Sequence, residues 1–383
     1  MNIGFDAKRA YHNSTGLGNY SRTLISSLAD FFPEHEYYLF NPKPSSRYNF
    51  ETRQNVHEVL PKDLISKLFP QAWRSSFIKK DLGKKHINLY HGLSHEIPIG
   101  LHTTGIRSVV TIHDLIHKRY PEQFSAFDVK IYNQKSRYAC KNSNKVIAIS
   151  NQTKQDIIEF YQLPAEQIAV CYQSCNNLFK RRVSDEEKKN IKAKYSLPDN
   201  FFLYIGSIIE RKNLLNICKA LFILKNKIDA PLVVIGNGKK YKEKVKDYII
   251  KHELENRVIF LSEQPSALSG NFENGEDFPA IYQSANAMVY PSIFEGFGIP
   301  VLEALSSRLP VITSNVSSLP EVGGNAAYYV DPLQPEEIAT AMKNILTDSQ
   351  LRASMQEKGW LHAQNFTPEK CATSIMNVYK SIM

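Results

Sequence analysis

The 383-residue chain is short of cysteine pairs and of long apolar runs, and each shortage removes a class of protein. Its five cysteines, at 140, 171, 175, 218 and 371, form no Cys-x-x-Cys pair and leave an odd count. Reduced thiols are therefore expected in place of a disulfide framework or a thiolate metal site. No run of about 18 uncharged apolar residues occurs, and the first residues, Met1 to Arg9, lack a charged-then-apolar leader. Neither membrane spanning nor secretion is expected, which favours a cytoplasmic location. A third glycine is missing after Gly16 and Gly18, since position 21 is Ser21, so the dinucleotide fingerprint of an NAD-dependent oxidoreductase is absent.

What is present points to two domains. The length exceeds one ordinary core, and an apolar content of 43% is normal for globular chains. Strand and helix signals alternate in both halves, the pattern of an α/β protein with two doubly wound parallel sheets. Strands are predicted at 1–6, 37–40, 89–91, 109–113, 146–149 and 168–172, then at 202–205, 232–236, 258–261, 287–290, 311–313 and 327–330. Helices are predicted to start near Asn19, Phe127 and Ser150, the last with Ser150 as its cap. Apolar periodicity lapses from Phe179 to Glu187, the predicted linker.

The chemistry concentrates in Glu295-Gly-Phe-Gly-Ile-Pro-Val-Leu-Glu303. A spacing of eight sets its two carboxylates about 80° apart around a helix, so they do not form one face. Gly296 and Gly298 make the first half a loop, and Pro300 suits the first helical position. The segment reads as a glycine-lined loop at a helix N-terminus, where free N–H groups and the dipole favour a phosphate. Glu295 lies before that site and Glu303 in the first turn or just beyond. Carboxylates there suit hydroxyls, such as those of a nucleotide sugar; a helix start with two solvated glutamates fits the same residues. Upstream, an apolar strand ends in Gly206 and Ser207 and is followed by Arg211-Lys212-Asn213 at a helix start. Two cations then stand at a strand's carboxyl end, where open α/β sheets bind ligands and where a diphosphate leaving group needs positive charge. A surface basic pair is the alternative. His113 and Asp114 end another apolar strand, a place where a lone histidine is most often a satisfied structural residue.

With these motifs, the sequence resembles the retaining glycosyltransferases of family four, GT-B enzymes that use nucleotide sugars. The resemblance runs through residues 16–20, 111–114, 146–150, 206–213, 290–292, 295–303, 310–315 and 319–322. It implies two Rossmann-like domains facing a cleft, residues 1–180 for the acceptor and 188–367 for the nucleotide sugar, with a last helix, 368–383, returning to the first. It implies hexose transfer with retention to a hydroxyl of a glycan or polyprenyl-linked acceptor in surface polysaccharide or lipopolysaccharide synthesis. No cofactor is implied beyond the donor substrate, and no Asp-x-Asp triplet is present to hold a divalent ion, so metal-independent chemistry is expected. His113 would contact the transferred sugar. Arg211, Lys212 and N–H groups around Gly298 would hold the diphosphate, Glu295 the sugar hydroxyls and Glu303 the ribose. Gly16, Gly18, Gly206, Ser207, Phe297 and Ile299 complete the expected donor contacts. GDP-mannose is the first choice of donor, within GDP- or UDP-hexoses. A nucleotide-sugar epimerase or a non-catalytic nucleotide-sugar-binding protein of the same fold is the alternative. Two features depart from the family pattern: a long, glycine-rich connection over 262–280, where the base is normally read, and Arg308 in place of the usual glycine.

Charge is unevenly placed. Residues 1–175 hold 22 Lys and Arg against 15 Asp and Glu, which accounts for seven of the nine net positive charges. Between Pro61 and Lys85, seven basic residues (Lys62, Lys67, Arg74, Lys79, Lys80, Lys84, Lys85) face only Asp63 and Asp81. Leu64, Leu68, Phe69, Trp73 and Phe77 interleave with them. The segment resembles a basic amphipathic stretch lying on an anionic membrane surface, at the inner face of the cytoplasmic membrane. A solvated basic face is the alternative, and a nucleic-acid partner is not expected.

Overall fold

Short, largely apolar runs form two wholly parallel sheets in the computed structural model, which describes residues 1–45, 48, 50, 53–268 and 270–383. The first sheet contains β1 (Asn2–Asp6), β2 (Glu36–Phe40), β3 (Val56–Val59), β4 (Leu89–Gly92), β5 (Arg107–Ile112), β6 (Lys145–Ala148) and β7 (Ile168–Val170), in the order β3-β2-β1-β4-β5-β6-β7. The second contains β8 (Phe202–Ile205), β9 (Leu232–Ile235), β10 (Val258–Phe260), β11 (Ala287–Tyr290), β12 (Val311–Ser314) and β13 (Tyr328–Val330), in the order β10-β9-β8-β11-β12-β13. Strands such as Phe-Leu-Tyr-Ile of β8 and Leu-Val-Val-Ile of β9 are buried at every residue, as expected for parallel strands covered by helices on both faces. In each sheet the winding reverses beside the first strand, between β1 and β4 and between β8 and β11. The crevice outside the carboxyl ends at such a reversal is where open α/β sheets bind ligands.

The chain divides into two units, Met1–Ser174 with Phe366–Met383 and Cys175–Asn365. The helix Pro368–Lys380 packs on the helix Gly16–Phe31 of the first unit and buries Ile375, Met376 and Tyr379 there. Tyr379 Oη lies 2.6 Å from His91 Nδ1.

Several sequence expectations are corrected. β3 was not predicted, because at this sheet edge its Val-His-Glu-Val sequence has no apolar run. Gly18 lies inside a helix that already begins at Gly16, not in a loop ahead of one starting near Asn19. The segment expected as a linker is built into the second unit: Phe179 packs on Tyr282 at 5.0 Å, and Gln283 bonds the backbone of Arg181 and Val183. Ser184 caps the helix Asp185–Lys194, so the polar run Asp-Glu-Glu is a favourable first turn. Trp73 and Arg74, read as part of an outward amphipathic face, are buried.

The structure accounts for Arg308. It follows the helix Ile299–Ser306 with φ 55°, the left-handed conformation that ends many helices and that glycine takes without strain. Its guanidinium lies 3.0 Å from Glu357 Oε2 and 4.6 Å from the centre of the Trp360 ring, contacts that offset the backbone cost. Replacing Arg308 with Ala keeps the strain and loses both contacts, an expected cost of about 1 kcal/mol. Arg308→Gly relieves the strain while losing the contacts, so it is expected to stay within about 0.5 kcal/mol of the parent. Denaturant melts of the two variants test this; an alanine variant as stable as the glycine variant would refute it.

Candidate active site

β8 and β11 are neighbours at the reversal of the second sheet, and the loops leaving their carboxyl ends meet there. From β8 the chain turns at Gly206, with φ 145° and Gly236 packed so closely that a side chain on Gly236 would lie 1.9 Å from the Gly206 carbonyl oxygen. Ser207 follows, exposed, and a tight turn over Glu210–Lys212 carries the two cations. From β11 come Tyr290, Ser292 and Glu295. Ile293 N–H donates to the Arg211 carbonyl at 2.8 Å, tying the loops together, and the Arg211 guanidinium donates to the Phe294 carbonyl.

Glu295 is the hub. Its Oε1 accepts from Lys212 Nζ at 3.0 Å, Tyr290 Oη at 2.9 Å and Ser292 Oγ at 2.9 Å, and lies 3.2 Å from Arg211 Nη1. All four converge on one oxygen, so Oε2 keeps its lone pairs for another donor. Burial alone would raise the carboxyl, but Lys212 and Arg211 reverse that and hold it at about 2. Burial, with Arg211 beside it, pulls the Lys212 ammonium below its ordinary value, against the opposing pull of Glu295. Two cations and one carboxylate leave this buried cluster one positive charge in excess.

A serine clasp fixes the loop that carries Glu295. Ser318 Oγ donates to the carbonyls of Glu295 and Phe297, Ser314 Oγ donates to Ser292 O, and Ser317 Oγ accepts from Glu295 N–H at 3.1 Å. Gly298, at φ 120°, turns the chain into the helix Ile299–Ser306, with Pro300 in its first turn. Phe297 is buried beneath that turn.

Glu303 sits one turn further along. Tyr282 Oη donates to its Oε2 at 2.8 Å, yet burial outweighs that bond and raises the carboxyl to about 7. The two glutamates of one motif are thus held in opposite states, one firmly ionised and one balanced near neutrality.

In the first unit, His113 follows β5 and is buried. Its Nε2 lies 2.9 Å from the Leu93 carbonyl, which only accepts, so Nε2 carries the proton; Nδ1 accepts from the Gln173 amide at 3.2 Å. Burial, then the neighbouring His95, lowers its pKa to about 3, so the ring is neutral. Tyr20 stacks edge-on against it at 4.7 Å. Gly18 belongs to the helix start beside Tyr20: its N–H donates to Asn13 Oδ1 at 3.2 Å, and a side chain there would lie 1.8 Å from the Asn13 carbonyl oxygen. Its amide therefore serves the helix cap, not an open phosphate loop; Gly16 is exposed at the first position. Arg119, on the helix that follows His113 and Asp114, pairs with Asp156 at 2.6 Å and Glu159 at 2.9 Å.

The structure thus gathers Arg211, Lys212 and Glu295 into one cluster, with Gly206, Ser207, Phe297 and Gly298 on the two loops around it and Ile299 opening the helix that follows. Gly16, Gly18 and His113 belong to the first unit. Tyr290, Ser292, Ser317, Ser318, Tyr282 and Gln173 received no role from the sequence. Tyr290 and Ser292 lay in a recognised motif, whereas loop serines and a helical tyrosine carry no signal of their own. In the 262–280 connection the chain forms tight turns over Leu261–Glu263 and Pro265–Leu268 and short helices over Gly270–Glu273 and Phe278–Ser284; Ser269 lies outside the described residues. Among the described residues, no group of three or more His, Cys, Asp or Glu side chains is placed to hold a metal ion. No described helix is long and apolar enough to cross a membrane.

Comparison with known proteins matches both halves of the chain. Residues 185–361 match the family model for glycosyl transferases group 1, and residues 14–175 that for glycosyltransferase family 4. The chain is 29% identical to O-antigen chain mannosyltransferase B of Escherichia coli, over 99% of this chain and 100% of that protein. It is 31% identical to O-antigen chain mannosyltransferase RfbU of Salmonella typhimurium, over 66% of this chain and 63% of that protein. Among solved structures, Anabaena HepE in complex with UDP and glucose superposes with TM-score 0.73 at 18% identity, covering 100% of both chains. WaaG, a glycosyltransferase involved in lipopolysaccharide biosynthesis, superposes with TM-score 0.69 at 17% identity, covering 99% of each.

The raised Glu303 carboxyl makes stability depend on pH in a definite direction. A folded pKa of about 7 against an ordinary 4.5 gives a contribution fully present below about pH 4.5 and lost as pH rises through 7. Between those limits the parent is expected to lose roughly 1–3 kcal/mol more than Glu303→Gln, which has no proton to lose. Denaturant melts of both proteins at several pH values measure the difference; parallel pH profiles would show that Glu303 is not buried as described.

Proposed function

This chain belongs to the group 1 glycosyltransferases of the GT-B fold, and from that membership we propose that it moves a mannose from GDP-mannose to a hydroxyl of a lipid-linked glycan in surface polysaccharide synthesis. Transfer proceeds with retention of the anomeric configuration and without a metal ion, at the inner face of the cytoplasmic membrane. The observation that carries the reading is the cluster in which Arg211 and Lys212 share Glu295 Oε1. Its excess positive charge, beside the helix start at Gly298, suits a diphosphate, which supplies the missing negative charge. Mannose and the polysaccharide context rest on the named O-antigen mannosyltransferases that the chain resembles.

The chemistry follows from the charge states. As the bond between the sugar's anomeric carbon and the phosphate oxygen breaks, charge grows on the diphosphate, and Arg211 and Lys212 are already positioned to stabilise it. Glu295, held near pKa 2 by two cations, is a weak base and a weak nucleophile, so it is unsuited to a covalent intermediate. Its uncommitted Oε2 suits a sugar hydroxyl. The acceptor oxygen attacks the anomeric carbon from the face the diphosphate leaves, and its proton passes to the departing phosphate oxygen. Glu303 binds the ribose hydroxyls as a carboxylate. His113, neutral and with Nε2–H committed to Leu93, acts as a hydrogen-bond partner for the sugar through Nδ1 in place of Gln173, not as an acid or base.

Arg211→Ala is expected to lower turnover roughly a hundred- to a thousandfold by removing transition-state charge stabilisation. Glu303→Ala is expected to weaken donor binding with a smaller effect on turnover. Melting of the purified protein with GDP, UDP, ADP and their hexose conjugates identifies the donor, and product analysis with a glycan acceptor then reads transfer. Normal kinetics in both variants would overturn the assignment; sugar epimerised without transfer, or donor bound without turnover, would favour the alternatives.

A further inference from the structure

The five-residue helix Leu64–Leu68 is inside out. Its single buried residue is Ser66, while Leu64, Ile65 and Leu68 are 72%, 62% and 65% exposed, and Phe69, next in sequence, is 61% exposed. A helix that buries its serine and shows its leucines to solvent has an outer face suited to a non-aqueous neighbour. Phe77 and Ile99 extend the exposed apolar surface nearby, since Ile99 N–H donates to the Ser75 carbonyl at 2.7 Å. Lys62, Lys67 and Lys80 are exposed around these residues.

The segment is mounted rigidly in spite of its exposure. Trp73 is fully buried, its indole N–H donating to Asp81 at 2.8 Å, and Ile78 and Leu82 join the core. Arg74 forms a forked pair with Asp6, the last residue of β1, and reaches Glu96 at 3.0 Å; Glu96 in turn lies 3.2 Å from Lys135 Nζ on the helix Ala126–Asn142. The charge of Arg74 is thus used internally, whereas Lys62, Lys67 and Lys80 face solvent, with the exposed Asp63, which caps the helix through Ser66 N–H, feeling the charge of Lys80. Asp6 stands at the carboxyl end of β1, and His113 follows the carboxyl end of β5 in the same parallel sheet, so the apolar knob is anchored to the end of the sheet that carries His113.

We propose that Leu64, Ile65, Leu68 and Phe69 insert into an anionic lipid bilayer, with Lys62, Lys67 and Lys80 on its headgroups, and that the Arg74–Asp6 pair fixes this docking face relative to the acceptor end of the first sheet. The proposal rests on the reading of a lipid-linked acceptor. Large apolar tips ringed by lysines match an interface with an acyl layer under anionic headgroups, and the positive excess of the first half matches the sign of that surface. Docking by this face presents the His113 end of the sheet toward a substrate held in the membrane.

The test is sedimentation of the full-length protein with vesicles of phosphatidylcholine alone or with about one third phosphatidylglycerol. Binding is expected only to the anionic vesicles. Leu64→Ser/Leu68→Ser/Phe69→Ser should weaken it by more than about tenfold, and Lys62→Glu/Lys67→Glu by roughly tenfold or more. Both variants should keep the parent's melting temperature and its transfer rate to a water-soluble acceptor, which separates docking from folding and from catalysis. Unchanged vesicle binding in both variants, or no binding by the parent, would overturn the proposal. So would a dimer in light scattering that the same substitutions dissociate, since the face would then pair with a second copy. Vesicle binding with no transfer to any acceptor would leave docking standing and refute the proposed function instead.

Discussion

One carboxylate oxygen shared by two buried cations is the constraint on which the second unit's site depends. A buried pair that loses one partner leaves an uncompensated charge and becomes strongly destabilising, so the protein must hold Glu295, Arg211 and Lys212 together through every motion of the surrounding loops. The scaffold answers this with ordinary parts. Adjacent parallel strands β8 and β11 deliver the cations and the carboxylate on loops that leave the same end of the sheet, and the backbone contact between Ile293 and Arg211 joins the loops before any charge is counted. Tyr290 and Ser292 saturate the shared oxygen, and Ser314, Ser317 and Ser318 clamp the chain around it. With the geometry fixed beforehand, little reorganisation is left for the reaction, the condition under which electrostatic stabilisation is most effective.

The same motif shows how environment divides two like groups. Glu295 and Glu303 are both largely, not wholly, removed from water, but one meets cations and the other a phenol. A carboxylate beside an ammonium and a guanidinium is firmly ionised; one bonded only by a tyrosine hydroxyl stays near balance. The first unit applies burial differently again: it lowers the pKa of His91, His95 and His113 so that the rings are neutral, and those of His91 and His113 are held by hydrogen-bond partners on both nitrogens.

The sequence disclosed what is written in local pattern. Among the described residues, twelve of the thirteen strands were legible because buried parallel strands are short apolar runs bounded by glycine or polar residues, as in Phe202–Ile205 and Ala287–Tyr290. β3 was not, because an edge strand with one polar pair has no such run. The Arg211–Lys212 pair and the two-glutamate motif were legible as residues placed by glycine, proline and strand ends. Their ion pairing was hidden, since it depends on which strands become neighbours. Trp73 and Arg74 were misread for a related reason: a stretch that passes through irregular helical turns does not obey one period, so alternation of basic and apolar residues could not tell anchor from exposed tip. Gly18 was expected among the donor contacts because a glycine that makes room for a carbonyl, as it does beside Asn13, and one that makes room for a phosphate are the same letter.

The return of residues 368–380 to the first unit orders events during synthesis. His91 and Tyr379, in contact at 2.6 Å, are separated by 288 positions, and the whole of 175–365 lies between the two parts of the first unit. A ribosome adding about 5–20 residues per second delivers the second unit complete while the first still lacks a covering helix for part of its core. The earlier-made unit is therefore the later to finish. For that interval the apolar surface around Leu24 and Leu28, later covered by Ile375 and Met376, is open to solvent and to chaperones.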